Sequence, residues 1–329
     1  MGTRARIATV CQSGCFFDSV EKNRKYVMGL LDLALRQEPD LVCLPEAFTT
    51  VSVASESLEK SAETLPSPAT EAVANRAKEH NCYVICPINT RRDSKLWNSA
   101  VVIDRSGEIL GIYNKAQPVT SSSDYTVFED GVTPGASEIP VFDLDFGRVG
   151  IQICFDIGFP EGWQQLSQKH AKMVFWPSAY NGGFPLQVYA YLHHYYVVSS
   201  VRSDKSRIID PLGVILAETD SHVNVIFRDI NLDFVVSHYD FNYSIPERIM
   251  KAYPGRVEIR SHPDDAHFMV EPTDDNLKTR QLQSEFRFES TLQYHQRHRE
   301  AYSLIRQGQL PVPQKAAHGD RPQYSKEDE

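Results

Sequence analysis

Three reactive side chains in this chain stand where an apolar run ends. Cys154 lies in GIQICFDIGFPE, where a segment with the character of a buried strand gives way to Pro160 and Glu161, residues suited to a helix first turn. A thiol at a strand–turn–helix join is exposed in the way nucleophiles often are, and a nearby helix N-terminus favours the thiolate. The plain alternative is core filling, because free cysteine is among the most buried residue types. A nucleophilic thiol also needs a base and something to hold an oxyanion. His193 and His194 lie on an apolar stretch and could act as the base, or could be helix residues with no chemistry. Glu46 closes DLVCLPEAF, where burial is expected to raise its pKa. Lys115, within GIYNKAQPV, follows a strand, where a cation could hold an oxyanion, although a surface lysine at a strand exit would look the same.

The elements that must position these groups follow from periodicity. RIATVCQS reads as a strand, and Asp18 with Glu21 suggests a capping box opening a helix to about Gln37. DLVCLPEAF is too short for a helix. Ser67 and Pro68 open a second helix as N-cap and first helical residue, and CYVICPINT is the next strand. Repeated strand–helix–strand units predict an α/β fold with parallel crossovers. Paired strands are then predicted around Ser106–Gly107 and near Phe146–Gly147. KMVFWPSA reads as a strand, PLQVYAYLHHYYVVSS as a helix, and SRIIDPLGVILAETDSHVNVIFRDINL as two or three strands. After about Ile245 the pattern weakens. Residues 246–310 read as an arm that makes an oligomer contact through Tyr253, Phe268, Phe286, Phe288, Tyr294 and Tyr302, and 311–329 as a disordered tail.

Composition narrows the classes. The 329 residues are 41% hydrophobic and 23% charged, with a formal net charge of -9, which argues against broad nucleic-acid binding. No apolar run is long enough for a bilayer, and the N-terminal stretch lacks a secretory h-region, so a cytoplasmic protein is expected. Six cysteines in such a chain are expected to be reduced thiols. The C-x3-C pairs Cys11/Cys15 and Cys82/Cys86 mimic half a zinc site, but each sits in or beside a strand-like run without matching histidines, and no metal is expected.

Taken together, the chain resembles the nitrilase superfamily of carbon–nitrogen hydrolases from about Arg6 to Leu232. LVCLPEAF matches the family's glutamate motif, GIYNKAQPV its lysine motif and RVGIQICFDIGFPE its cysteine motif, in the family's order. VFWPSA and SRIIDPLGVILAET look like its later strand and terminal hairpin. The resemblance implies a four-layer α-β-β-α sandwich over residues 1–245 and a triad of Glu46, Lys115 and Cys154. It also implies a second glutamate, best matched by Glu129 before Pro134–Gly135, and a homodimer or larger assembly. Phe155, Ser178 and Ala179 would be the oxyanion and substrate residues. The implied reaction is cofactor-free hydrolysis of an amide or N-carbamoyl amine through a thioester. A nitrilase with the same triad and a non-catalytic binding protein on this fold are the rivals.

The lysine motif departs from the family at Gln117 and Pro118. Phe155 and Asp156 stand where true nitrilases have tryptophan and glutamate, which favours the amidase and carbamoylase branches. Ile157–Gly158 stands where carbamoyl-amino-acid hydrolases place arginine, and Asp156 and Glu161 add negative charge, so a neutral or cationic substrate is expected. The alternative is that a distant arginine, Arg202 or Arg207, folds back to take an anion.

Overall fold

The computed structural model describes residues 3–50, 58–261 and 266–311, and the chain divides into two compact units, Met1–Leu232 and Asp233–Glu329. In the first unit the chain runs β1 (Arg4–Val10), α1 (Val20–Leu35), β2 (Leu41–Cys43), a short α2 (Leu58–Ser61), α3 (Pro68–Glu79), β3 (Tyr83–Arg92), β4 (Lys95–Ile103) and β5 (Ile109–Asn114). It continues with β6 (Val141–Leu144), β7 (Gly147–Ile151), α4 (Pro160–Gln168), β8 (Met173–Ser178), α5 (Pro185–His193), β9 (Tyr196–Val201), β10 (Arg207–Ile209), β11 (Ile215–Glu218) and β12 (Val225–Asn231). Two six-stranded sheets result, ordered β12-β1-β2-β3-β4-β5 and β11-β10-β9-β8-β7-β6.

Each sheet has three parallel strands at its centre, β1-β2-β3 and β7-β8-β9, and antiparallel strands outside them. Helices α1 and α3 cover the outer face of the first sheet through Val27, Leu31, Val73 and Ala77, all fully buried. The Val27, Leu31 and Val73 side chains each contribute roughly 1.5–3 kcal/mol by leaving water. Helix α4 packs so closely on β7 that a Cβ at Gly150 would lie 2.5 Å from Leu166. The sheets meet where small polar residues allow close approach: the Thr9 hydroxyl donates to the Ser199 carbonyl at 2.7 Å, and the Ser200 hydroxyl to the Val10 carbonyl at 2.8 Å. This is the α-β-β-α sandwich that the sequence led us to expect.

Local capping decides where the helices begin. Ser19, not Asp18, caps α1 and accepts from the Lys22 amide, while Asp18 pairs with the Lys22 ammonium; the helix ends at Leu35. Ser67 caps α3 as expected, in a reciprocal box with Thr70. The run PLQVYAYLHHYYVVSS is not one helix. His194 adopts a left-handed conformation (φ 51°) that ends α5, and the β-branched and aromatic residues after it form the buried strand β9.

The second unit begins earlier than residue 245 and has a core of its own, so it is more than an arm. It contains β13 (Val235–His238), α6 (Ile245–Ala252), β14 (Val257–Ser261), β15 (His267–Pro272), α7 (Thr279–Phe286) and α8 (Thr291–Arg306), with the sheet ordered β13-β15-β14. Ile245, Ile249, Phe268, Leu282, Phe286 and Phe288 are buried together in it. Three aromatics read from sequence as interface residues, Phe268, Phe286 and Phe288, are therefore core. The tail expected over 311–329 lies, apart from residue 311, outside the described residues.

Candidate active site

The strands β2, β5, β7, β8 and β9 all deliver their C-terminal ends to the same region. Ligands of parallel α/β sheets bind at such ends. Glu46 follows β2, Lys115 follows β5, Cys154 follows β7, Ser178 ends β8 with Ala179 next to it, and Arg202 follows β9.

Lys115 is nearly sealed from solvent, at 2% exposure, yet carries an ammonium. Two carboxylates compensate it: Nζ donates to Glu46 Oε1 at 2.9 Å and to Glu129 Oε1 at 2.5 Å. Burial works to lower the Lys115 pKa, but Glu46, the Cys154 thiolate form and Glu129 together hold it raised. Asn98 ties the same carboxylates together, its Nδ2 donating to Glu46 Oε1 at 2.8 Å and to Glu129 Oε2 at 3.2 Å. Glu129 is fixed by its own loop, since its amide donates to the Val119 carbonyl and the Val119 amide donates back to Oε1.

Glu46 does not have the raised pKa expected from sequence. Burial pushes it up, but Lys115, Arg202 and the hydrogen bonds from Lys115 and Asn98 outweigh burial and hold it lowered. Its other oxygen, Oε2, is buried and has no hydrogen-bond partner among the described residues. Burial and the Glu46 charge push the Cys154 thiol up to about 11, while Lys115, the Ser178 hydroxyl and the Ala179 amide pull the other way. The structure thus brings Cys154 within electrostatic reach of Glu46 and Lys115 and sets Ser178 and Ala179 beside its sulfur.

Cys154 opens a single 3-10 turn, Cys154–Gly158, with φ at 48°. Ala47, next to Glu46, and Glu129 are also left-handed, both at φ 40°. Non-glycine residues held in this region cluster at functional sites. The turn is anchored by Asp156, which sequence reading placed as a negative charge facing the substrate. It is instead fully buried, and accepts from the Ile153 amide (2.7 Å), the Tyr113 hydroxyl (2.7 Å) and the Gln117 amide (2.8 Å). Burial pushes its pKa up to about 6 against these bonds. The bond to Gln117 also ties the turn that carries Cys154 to the segment carrying Lys115. Phe155, next in the turn, has an exposed ring edge-on to Phe159. Glu161 lies exposed in the first turn of α4.

The histidines have other surroundings. His193 stacks on Tyr189 and tilts against Tyr195, and burial lowers its pKa to about 4; His194 Nδ1 meets the Pro211 carbonyl at 3.2 Å. All six cysteines are free, with Cys15 exposed and the others buried. No cluster among the described residues has the composition of a metal site, and no described helix is long and apolar enough to cross a membrane.

The same sequence region matches a known family: the model for carbon-nitrogen hydrolases covers residues 6–238. The chain belongs to the carbon–nitrogen hydrolase family. As a member of the nitrilase superfamily, this hydrolase has amidases among its relatives. It is 29% identical over 241 residues to a deaminated glutathione amidase of Synechocystis sp., a match spanning 65% of this chain and 88% of that one. With the omega-amidase NIT2 of Bos taurus it shares 26% identity over 231 residues, 64% of this chain and 83% of the other. Among solved structures, Nit3 of Saccharomyces cerevisiae superposes with a TM-score of 0.62 at 19% identity, covering 77% of this chain and 95% of Nit3. A mutant amidase from Nesterenkonia sp. AN1, carrying the acetamide moiety of fluoroacetamide on its active-site cysteine, gives 0.60 at 19% identity, covering 70% and 92%.

Sequence reading did not single out Asn98 or Tyr180, and offered Arg202 only as an alternative. Asn98 is an amide inside an apolar strand, which must find partners there. Tyr180 and Arg202 follow β8 and β9, at the strand ends where Glu46, Lys115 and Cys154 were found. Position relative to a strand end was the available signal.

Proposed function

We propose that this enzyme hydrolyses the C–N bond of a non-peptide amide or N-carbamoyl amine through a Cys154 thioester. Glu46 Oε2, the carboxylate oxygen without a hydrogen bond, takes the thiol proton as sulfur attacks the substrate carbon. Lys115 Nζ and the Phe155 amide stabilise the tetrahedral oxyanion, and each such donor is worth ~3 kcal/mol to the transition state. Glu46 returns the proton to the departing nitrogen, so ammonia or an amine leaves and a thioester remains. Glu46 then deprotonates a water that attacks the thioester carbon, and returns that proton to sulfur as the acid departs. Glu129 positions Lys115, and Ser178 and Ala179 steady the sulfur.

The observation that carries this reading is the buried ammonium of Lys115, shared between Glu46 and Glu129 beside Cys154. A binding protein would gain nothing from burying two carboxylates and an ammonium next to a thiol, since such clusters are costly to desolvate. The amidase names of the relatives favour amides over nitriles as substrates. The test is ammonia release from simple amides, N-carbamoyl amines, N-carbamoyl amino acids and nitriles, with mass spectrometry of the quenched enzyme. An acyl adduct on Cys154 is expected with an amide or carbamoyl compound. Turnover confined to nitriles, or unchanged in Cys154→Ala, would overturn the proposal.

A further inference from the structure

Arg202 is the cation near this site that the proposed reaction leaves without a task. It follows β9, its amide donates to the Ser178 carbonyl at 2.9 Å, and its carbonyl accepts from the Gly14 amide at 2.8 Å, so its backbone is fixed beside the residues that flank Cys154. Its guanidinium lies over the Phe16 ring, 5.8 Å from the centroid, and close enough to Glu46 to help keep that carboxylate ionised. Its Nε is buried without a hydrogen-bond partner among the described residues. A guanidinium has five donors and never gives up its charge in a protein. A fold that leaves a buried donor unmet bears a penalty that a ligand acceptor can remove.

Other arginines with partly buried side chains are engaged. Arg207, the alternative raised from sequence, pairs with Glu218 at 2.5 Å, and Arg92, whose Nε is also unmet, still donates from Nη2 to Asn114 Oδ1 at 2.5 Å. One of the two charges that spoke against an anionic substrate is also removed, because Asp156 is buried and spends its acceptors on Ile153, Tyr113 and Gln117, while Glu161 stays exposed in α4.

We propose that Arg202 is a specificity-determining residue that binds a carboxylate carried by the substrate, so that the preferred substrate is an amide bearing a second, anionic end. This rests on the hydrolase reading above. A planar fork suits a carboxylate bidentately, and Phe16 beneath it holds the plane in place. The aromatic wall continues at Tyr180, which lies edge-on to Trp176 and within electrostatic reach of Cys154 and Glu46, so the stretch between reacting carbon and carboxylate is expected to be apolar.

The test uses a series of straight-chain ω-amido acids of four to six carbons, each with its neutral diamide. For the best acid, wild-type kcat/KM should exceed that for the diamide at least 10-fold. Arg202→Gln should lower the acid's kcat/KM about 100-fold, mostly through KM, and the diamide's at least 10-fold less than that, with the diamide's loss in kcat because Glu46 loses a neighbouring cation. Arg202→Lys, which restores charge without the fork, should recover part of the loss. Binding is read separately by calorimetry on Cys154→Ala: the acid should bind at least 10-fold more tightly than the diamide, and adding Arg202→Gln should erase the difference. Equal binding of acid and diamide, or equal losses on both in Arg202→Gln, would overturn the anchor. Tight, Arg202-dependent binding of the acid without turnover would support the anchor and refute the hydrolase reading instead.

Discussion

Replacing Lys115 with methionine should turn one buried ion cluster into a buried excess of negative charge, and pH should report the change. The side chain of Glu46 is 4% exposed and that of Lys115 2%, whereas Glu129 keeps 22%. Removing Lys115 therefore strands Glu46 more than Glu129. Breaking a buried pair from one side typically destabilises by 3–5 kcal/mol. At roughly 2–4 °C per kcal/mol for a unit of this size, Tm should fall on the order of 10 °C at pH 8.

In the wild type the Glu46 pKa is lowered, so its contribution to stability is complete above the usual carboxylate range and fades as pH falls through it. In Lys115→Met burial is opposed only by Arg202 and Asn98. With burial the largest influence left, the Glu46 pKa is expected to rise, so that the penalty present at pH 8 is relieved as pH falls and the carboxyl takes a proton. The Tm gap between wild type and variant should therefore narrow from pH 8 to pH 5. The double variant Glu46→Gln/Lys115→Met should recover most of the stability at pH 8 and remain inactive. Calorimetric scans from pH 5 to 8 measure all of this. A Lys115→Met protein as stable as wild type at pH 8, or a Tm gap independent of pH, would refute the shared-ammonium argument.

Cys154→Ala and Cys154→Ser should fold, with at most the cost of a modest truncation, and show no turnover; near wild-type rates in purified Cys154→Ala would rule out the thiol as nucleophile. Glu46→Gln should lose at least 100-fold in kcat, because an amide keeps the shape but cannot take the proton, whereas His193→Ala and His194→Ala should stay within a few-fold of wild type; the opposite pattern would favour a Cys–His pair. Gly135→Ala should lower both Tm and kcat. The added Cβ would press into the Asn114 carbonyl and come within 3.0 Å of the Lys115 carbonyl, which already accepts from the Gly135 amide, so an unchanged kcat would show that Lys115 tolerates displacement.

What the sequence made legible was what short-range chemistry decides. Alternating strand and helix runs pointed to the α/β class, and the motifs that end in Glu, Lys and Cys carried the resemblance that implied the sandwich and the three groups. Ser67–Pro68 gave the start of α3. What it hid depends on partners far away in the chain. The burial of Glu46 was foreseen, but the sign of its pKa shift turns on Lys115, Arg202 and Asn98, which lie on three other segments. Asp156, one residue beyond Phe155 in sequence, points inward because Tyr113 and Gln117 supply donors there. The core of the second unit was missed because its apolar residues are spread over β13, β15, α6 and α7, each too short to repeat its pattern more than two or three times.

The opposed pKa shifts of Cys154 and Glu46 also constrain the order of events in the proposed reaction. With the thiol pushed up to about 11 and the carboxyl held low, the resting pair is thiol and carboxylate. Moving the proton before attack would create a thiolate beside an acid, at ~1.4 kcal/mol for each unit separating the two groups. Proton transfer is therefore coupled to bond formation at the substrate carbon. Lys115 makes the coupling work. Its Nζ is held by the full charge of Glu46 only until Oε2 takes the proton, so protonation of Glu46 turns one of its two ion pairs into a weaker hydrogen bond at the moment when negative charge appears on the substrate oxygen. Glu129 keeps the ammonium in place through that exchange, which makes it a positioning residue. Glu129→Gln should then lower kcat more than it raises KM and weaken the pull on the Lys115 proton. An effect confined to KM would assign Glu129 to substrate binding instead.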